Sequence, residues 1–232
     1  MNPTRRAPPD ASAAPPDTFA SVAVAVDVVP LAVREGRLHA AVMRLGPAES
    51  SALFAFPGGR VRPEESLDVA ARRSLERHLV TDGAFLEQLY AFGEPGRDPG
   101  SRVVSVAYLA LLPRGGHDSD IHWFPYPELP PLAYDHGAVA EKALERLQGK
   151  LAYTNIVFGL LEDPFTLADL QRVYETILHH DLDRRNFRKK ILALDMVRPI
   201  GRVRHGPHRP AELFRFSHRR LVTLQTLVSK KG

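Results

Sequence analysis

The sequence predicts two unlike domains, an α+β sandwich of strands flanked by helices followed by a small helical domain that closes on a basic hairpin. Three observations predict it. β-Branched alternation is concentrated before Leu112, helical spacing of apolar residues dominates after Thr154, and the charge changes sign between the two parts. Residues 1–150 hold 16 Lys and Arg against 19 Asp and Glu, whereas residues 151–232 hold 15 against 8. The excess gathers at the end, where residues 183–232 carry 14 basic and 3 acidic side chains. A polyanion is the partner such a surface suits, because each neutralised phosphate releases condensed counterions.

The chain has no cysteine, which excludes disulfides, thiolate metal sites and cysteine nucleophiles. No apolar run approaches the roughly 20 residues needed to cross a bilayer. Arg5 and Arg6 are not followed by the apolar core of a signal peptide, so a soluble, cytoplasmic protein is expected.

Residues 1–18 are rich in Pro, Ala and polar residues and are expected to be a disordered tail. A first domain is expected over 19–150. Its opening run SVAVAVDVVPLAV, a turn at Glu35-Gly36 and LHAAVMRL predict a hairpin of two long strands. Leu53 to Phe56 predicts a short strand, Pro57-Gly58-Gly59 a turn, and Ser66 caps a helix whose apolar face is Leu67, Ala70, Ala71, Leu75 and Leu79. Strands at Phe85–Phe92 and Val103–Leu112, a Pro-rich connection (WFPYPELPPLAY) and a helix from His136 to Lys150 complete it.

A second domain is expected over 151–220, with a tail at 221–232. Thr154–Leu161 predicts a short apolar helix. Thr166 caps LADLQRVYETIL, and Asp183 caps RRNFRKKILAL, which buries Phe187, Ile191 and Leu194 and turns its arginines outward. Val197–Ile200, the loop GRVRHGPHRP and Ala211–Phe216 then form a hairpin with a basic tip. Three helices and such a hairpin are the layout of a winged helix-turn-helix.

The segment from Gly58 to Thr81, GGRVRPEESLDVAARRSLERHLVT, resembles the Nudix box, with Gly59, Glu65, Arg73 and Leu75 at the pattern's spacing. The resemblance implies a Nudix-type α/β/α sandwich. It also implies that helix carboxylates at positions 74, 77 and 78, which share one helix face, would hold Mg²⁺ against a pyrophosphate. Here those positions are Ser74, Arg77 and His78, and the final Gly of the box is Val80. A guanidinium repels a hard cation, and Ser or His does not restore the missing charge. Glu64, Glu65 and Glu76 remain nearby, Glu76 at a position expected to point off the metal face. No catalytic or metal-ligating residue is therefore expected.

The helical part, LAYTNIVFGLLEDPFTLADLQRVYETILHHDLDRRNFRKKILAL with GPHRPAELFRFS, is similar to the C-terminal domain of the NrtR family, the Nudix-related transcriptional regulators of NAD metabolism. With the box and the DHGAVAEKALERL helix, the resemblance covers about residues 19–217. It implies a homodimeric repressor on an approximately palindromic operator, with ADP-ribose or a related NAD-derived nucleotide as effector and no required cofactor. The alternative is a Nudix hydrolase acting on ADP-ribose or a similar nucleoside diphosphate through an unusual metal site.

For DNA contact the candidates are Arg184, Arg185, Asn186, Arg188 and Lys189 on the third helix, and Arg202, Arg204 and Arg209 in the wing. Arginine reads guanine bidentately and asparagine reads adenine in a major groove. For the effector the candidates are Gly59, which lets backbone approach a ligand, and Arg60, Arg73, Arg77 and Arg97 as phosphate contacts. Arg77 would replace the metal as counter-charge, while Arg73 has the alternative of bracing the turn through Glu64 or Glu65. Phe92 and Tyr108 are open to stacking a base or to the core.

Overall fold

The computed structural model describes residues 21–46, 53–113, 120–205 and 210–224; the tail expected at 1–18 lies outside them. Strand β1 (Ala23–Arg34) turns into β2 (Arg37–Leu45) through Glu35 and Gly36, both at positive φ. That is the turn whose twist suits a two-residue hairpin. Next come β3 (Leu53–Ala55), β4 (Gly58–Arg60), α1 (Leu67–Glu76), β5 (Phe85–Phe92), β6 (Val103–Leu111), β7 (Ile121–Pro125) and α2 (His136–Leu151). The main sheet runs β3-β2-β1-β6-β5, with β4 added beside the start of β1 and β7 beside β2. Its one parallel pair among the described residues is β1 with β6.

Alternation along the central strands separates two cores. Val26, Val28, Ala32, Val106, Tyr108 and Ala110 face α1 and meet Ala70, Ala71 and Leu75. Val29, Leu31, Ala107, Leu109 and Leu111 face α2 and meet Val139, Ala143, Leu147 and Leu151. This is the expected α/β/α sandwich. The Pro-rich connection differs from expectation, because it begins with β7: Ile121 to Pro125 pair along β2 from Met43 back to His39. His39 and Ala40 pair with β1 on one side and with β7 on the other, so β7 covers the edge of β2 opposite β1 until Pro125, which lacks an N–H, ends it.

The second domain holds β8 (Phe165–Thr166), α3 (Leu167–Leu178), α4 (Arg184–Ala193), β9 (Val197–Arg204) and β10 (Ala211–Phe216). β8, β10 and β9 form a three-stranded sheet, so the winged helix-turn-helix is present. The helix expected over 154–161 shrinks to a 3-10 turn at Ile156–Gly159. Leu221 to Leu224, expected to begin a tail, instead bind back over the domain junction. Asn155 N–H donates to Val222 O at 3.2 Å, and Leu224 N–H to Tyr153 O at 2.7 Å.

The α2-side core continues without a break through Ile156, Val157 and Phe158 into Leu170, Val173, Tyr174, Ile177 and Ile191. Gly159 lies at this seam. A β-carbon there would stand 2.8 Å from Leu111 Cβ and 3.1 Å from Phe85 Cβ, so only glycine lets the junction press onto the first sheet. Gly159→Ala is therefore expected to lower stability by about 1–3 kcal/mol, read as a lower urea midpoint for the whole chain.

Candidate functional site

The first domain carries a cleft of about 260 Å³ where β1, β4 and the start of α2 converge. Its floor is a buried polar network. Asp27, on the α2 side of β1, accepts from Ser105 Oγ at 2.5 Å and from Arg97 Nη2 at 3.1 Å, with His136 Nε2 3.4 Å away. His136 Nδ1 accepts the Phe56 N–H at 3.0 Å, which leaves Nε2 as the nitrogen carrying hydrogen toward Asp27. Arg97 also grips Asp135 bidentately, Nε to Oδ2 at 2.9 Å and Nη2 to Oδ1 at 2.6 Å. Burial alone would raise the Asp27 carboxyl, but His136, Ser105 and Arg97 together hold it below the ordinary carboxylate value.

Gly58 makes this arrangement possible, since a β-carbon there would fall 2.4 Å from Asp27 Oδ1. Gly59 beside it has open space where a side chain would be. Of the residues expected to meet an effector, Gly59, Arg60 and Arg97 line the cleft. Arg60 donates to Ser101 Oγ at 3.0 Å, a neutral partner that leaves its charge uncompensated by that contact. Arg97 is nearly enclosed and already divided between Asp27 and Asp135.

Arg73 and Arg77 are not among the cleft's lining residues. Arg73 takes the bracing role: its Nε meets Glu65 Oε2 at 2.9 Å and its Nη2 meets Oε1 at 2.5 Å. Arg73, with the Arg62 N–H, holds the Glu65 carboxyl down to about 2. Arg77 is the exposed C-cap of α1, and Ser74 is buried with its hydroxyl unbonded. Tyr108 is core, its hydroxyl donating to Asp68 at 2.6 Å, and Phe92 packs edge-on against Tyr90. Neither lines the cleft. The aromatics that do are Phe56 and the exposed Tyr134, whose rings flank His136 at 5.5 and 5.4 Å. Asp27, Tyr134 and His136 were missed in the sequence. A lone acid within SVAVAVDVVPLAV was the available signal, because a carboxylate in a buried strand needs partners.

The basic surface belongs to the second domain. The turn between α3 and α4 is locked by Glu175, whose Oε1 accepts from Gln171 Nε2 at 2.7 Å and from the Leu182 N–H at 2.9 Å. Asp183 Oδ1 then accepts the Asn186 N–H at 2.8 Å and starts α4. Phe187 and Ile191 anchor the helix, Phe187 edge-on to Tyr174 with ring centres 5.3 Å apart. Arg184, Arg185, Asn186, Arg188, Lys189 and, unanticipated, Lys190 all lie exposed. Among the described residues, Arg184, Arg185 and Lys189 have no ion-pair partner, and Arg188 stands 3.8 Å from Glu212 of the wing. Arg202 and Arg204 are exposed on β9; Arg209 lies outside the described residues.

A NUDIX domain model matches residues 22–147, and a model of the NrtR DNA-binding winged helix domain matches residues 157–216. The chain is 29% identical over 209 residues to the ADPR responsive transcriptional repressor NtrR of Acinetobacter baylyi, covering 86% of this chain and 84% of that one. It is similar to the crystal structure of Shewanella oneidensis NrtR complexed with a 27mer DNA, at TM-score 0.75 and 29% identity, covering 84% of this chain and 93% of that one. Its first domain is similar to the NUDIX domain of the same Shewanella protein complexed with ADP ribose, at TM-score 0.50 and 28% identity, covering 57% and 92%.

The network under the cleft makes a stability prediction. Asp27→Asn leaves Arg97 buried with one carboxylate in place of two, and the expected loss is about 3–5 kcal/mol. Because the folded Asp27 titrates below its unfolded value, its contribution is complete above about pH 4 and is lost as pH falls through the lower folded value. Urea midpoints from pH 7 down to pH 3 should therefore fall more steeply in the wild type than in Asp27→Asn.

Proposed function

The chain belongs to the NrtR family of Nudix-related transcriptional regulators, and on that premise we propose that it is a repressor of NAD metabolism genes that senses ADP-ribose or a closely related nucleotide without hydrolysing it. The observation that carries this reading is the union, through one continuous core, of an arginine-bearing cleft with an exposed basic helix on a locked helix-turn-helix. In the proposal α4 enters the major groove, where Arg184, Arg185, Asn186, Arg188 and Lys189 divide between bases and phosphates, and Arg202 and Arg209 reach the backbone from the wing. Two copies related by a two-fold axis would match an approximately palindromic operator.

In the cleft, Arg60 and the outer edge of Arg97 suit a diphosphate, Gly59 admits it closely, and Tyr134 offers an exposed ring to a base. Arg73 is committed to Glu65, so the geometry favours Arg60 over Arg73 and Arg77 as the first phosphate contact. The box does not fit Mg²⁺. At the three family ligand positions stand a buried serine hydroxyl, an exposed guanidinium and a histidine, and among the described residues no group of three His, Asp or Glu converges as a metal site. A sensor that cleaved its effector would erase its own signal, which agrees with that donor set.

Two measurements test the reading. Arg188→Ala is expected to weaken binding to a duplex enriched from a random pool by the full chain, by about 1–3 kcal/mol if it reads a base, with an unchanged melting temperature. Normal binding by this variant would remove α4 from the interface. Incubation of the chain with ADP-ribose and Mg²⁺ or Mn²⁺ is expected to release no AMP; steady release would make the chain a hydrolase.

A further inference from the structure

One carboxylate, Asp169, ties the wing to α3. Asp169 is the third residue of α3, and its backbone N–H donates to Thr166 Oγ1 at 3.1 Å while its Oδ2 accepts the Thr166 N–H at 2.9 Å. That reciprocal pair closes the helix cap. The same Oδ2 accepts from Arg204 Nη1 at 2.8 Å, and Oδ1 takes Arg172 Nη2 at 2.6 Å. The Asp169 side chain is 16% exposed, so this carboxylate is largely removed from water.

Among the described residues, the other ionic tie to the outer wing is looser, Arg188 of α4 standing 3.8 Å from Glu212 with both side chains half-exposed. The root is secured, since β10 pairs with β8 at Leu213 and Phe214. Beyond Ile200, however, β9 buries nothing: Gly201, Arg202, Val203 and Arg204 are all exposed. Arg204 pairs with Ala211 at the last rung before the tip, past an irregularity in the ladder between Glu212 and Phe214. The ion pair therefore acts on the outer rungs of β9, which among the described residues bury no apolar side chain. An arginine reserved for phosphate would gain nothing from a carboxylate beside it, because that negative charge also faces the polyanion.

We propose that Arg204 is a positioning residue rather than a DNA contact, its ion pair with Asp169 setting β9 against α3 so that Arg202 reaches the duplex backbone from a strand already ordered. The proposal rests on the DNA-binding reading above. A hairpin ordered before binding spares the complex the entropy of ordering it. Burial would raise the Asp169 carboxyl, but the Thr166 and Arg204 contacts outweigh it and hold the group below its ordinary value, so the carboxylate is ionised across the working range.

The test uses the full chain with Arg204→Ala, Asp169→Asn, the double variant and Arg202→Ala. Asparagine at 169 keeps a side-chain oxygen for the Thr166 cap while removing the charge. Hydrogen exchange over 197–204 and 211–216 is read in the free protein, and affinity for the enriched duplex is read across a salt series. Arg204→Ala and Asp169→Asn should each speed wing exchange and weaken binding about 5-fold, with the salt slope unchanged and the double variant no weaker than either single. Arg202→Ala should lower the slope by about 0.9. A slope lowered by about 0.9 in Arg204→Ala, with Asp169→Asn binding as well as the wild type or more tightly, would make Arg204 a phosphate contact and overturn the proposal. Should Asp169→Asn fail to fold, Arg204→Ala decides through slope and exchange together. Unchanged wing exchange would overturn only the clamp, whereas a wild-type chain that enriches no duplex would overturn the regulator reading itself.

Discussion

Asp27 keeps a negative charge inside the first domain, and the cleft is built around the groups that make this tolerable. An unpaired carboxylate in such a place would cost several kcal/mol, so Ser105, Arg97 and His136 converge on it from β6, from the loop after β5 and from the first turn of α2. Each partner fixes a different element. Ser105 sits beside Asp27 across the parallel β1–β6 pair, Arg97 draws Asp135 and hence the start of α2 inward, and Gly58 leaves room for the turn that carries the Nudix box. The cleft is the opening above this network, which places Arg97, while Arg60 is set beside it by β4 and by Ser101.

Helix α2 carries that constraint to the second domain. Its first turn holds His136 against Asp27. Its last turns place Arg146 and Lys150 on Glu87 of β5 at 3.0 and 2.6 Å, and Gln148 on the Ile177 carbonyl of α3 at 2.9 Å. Thr176 of α3 reaches back to the Gly36 carbonyl of the β1–β2 turn at 2.8 Å. With a core continuous from Val29 to Ile191, the domains share packed side chains rather than a loose linker. On the proposed effector reading, a change in how Arg97 shares itself between Asp27, Asp135 and an incoming anion would act on the start of a helix whose other end touches α3. Coupling of this kind needs two arrangements of a rigid element that the ligand binds differently, and α2 is the element so placed.

What the sequence made legible was local. Ser66, Thr166 and Asp183 cap their helices as expected, because a cap is decided within four residues. The strand at Phe85–Phe92 and the apolar faces of α3 and α4 follow from periodicity alone. The basic side of α4 was likewise readable, since the residues that bury Phe187 and Ile191 leave the arginines no other direction. What escaped was set by topology. β7 closes the edge of β2 that faces away from β1, a pairing between residues about eighty apart, and the cleft's Tyr134 and His136 arrive from a segment about a hundred residues from Asp27 in the chain. Arg77 sits at the position of a helix carboxylate in the box pattern, yet α1 ends there and leaves it exposed outside the cleft. Arg204 is one more wing cation by sequence, and its carboxylate partner lies 35 residues earlier, beyond the reach of local pattern.

The central claim is that one molecule joins a nucleotide cleft to a DNA-reading helix. Fluorescence anisotropy of the full chain on its enriched duplex, against a scrambled duplex at the same salt, with ADP-ribose titrated in, tests it most directly. Selective binding is expected, with a midpoint that shifts as ADP-ribose saturates by the same factor that DNA shifts ADP-ribose affinity. Equal binding to both duplexes, or selective binding indifferent to saturating ADP-ribose, would contradict it.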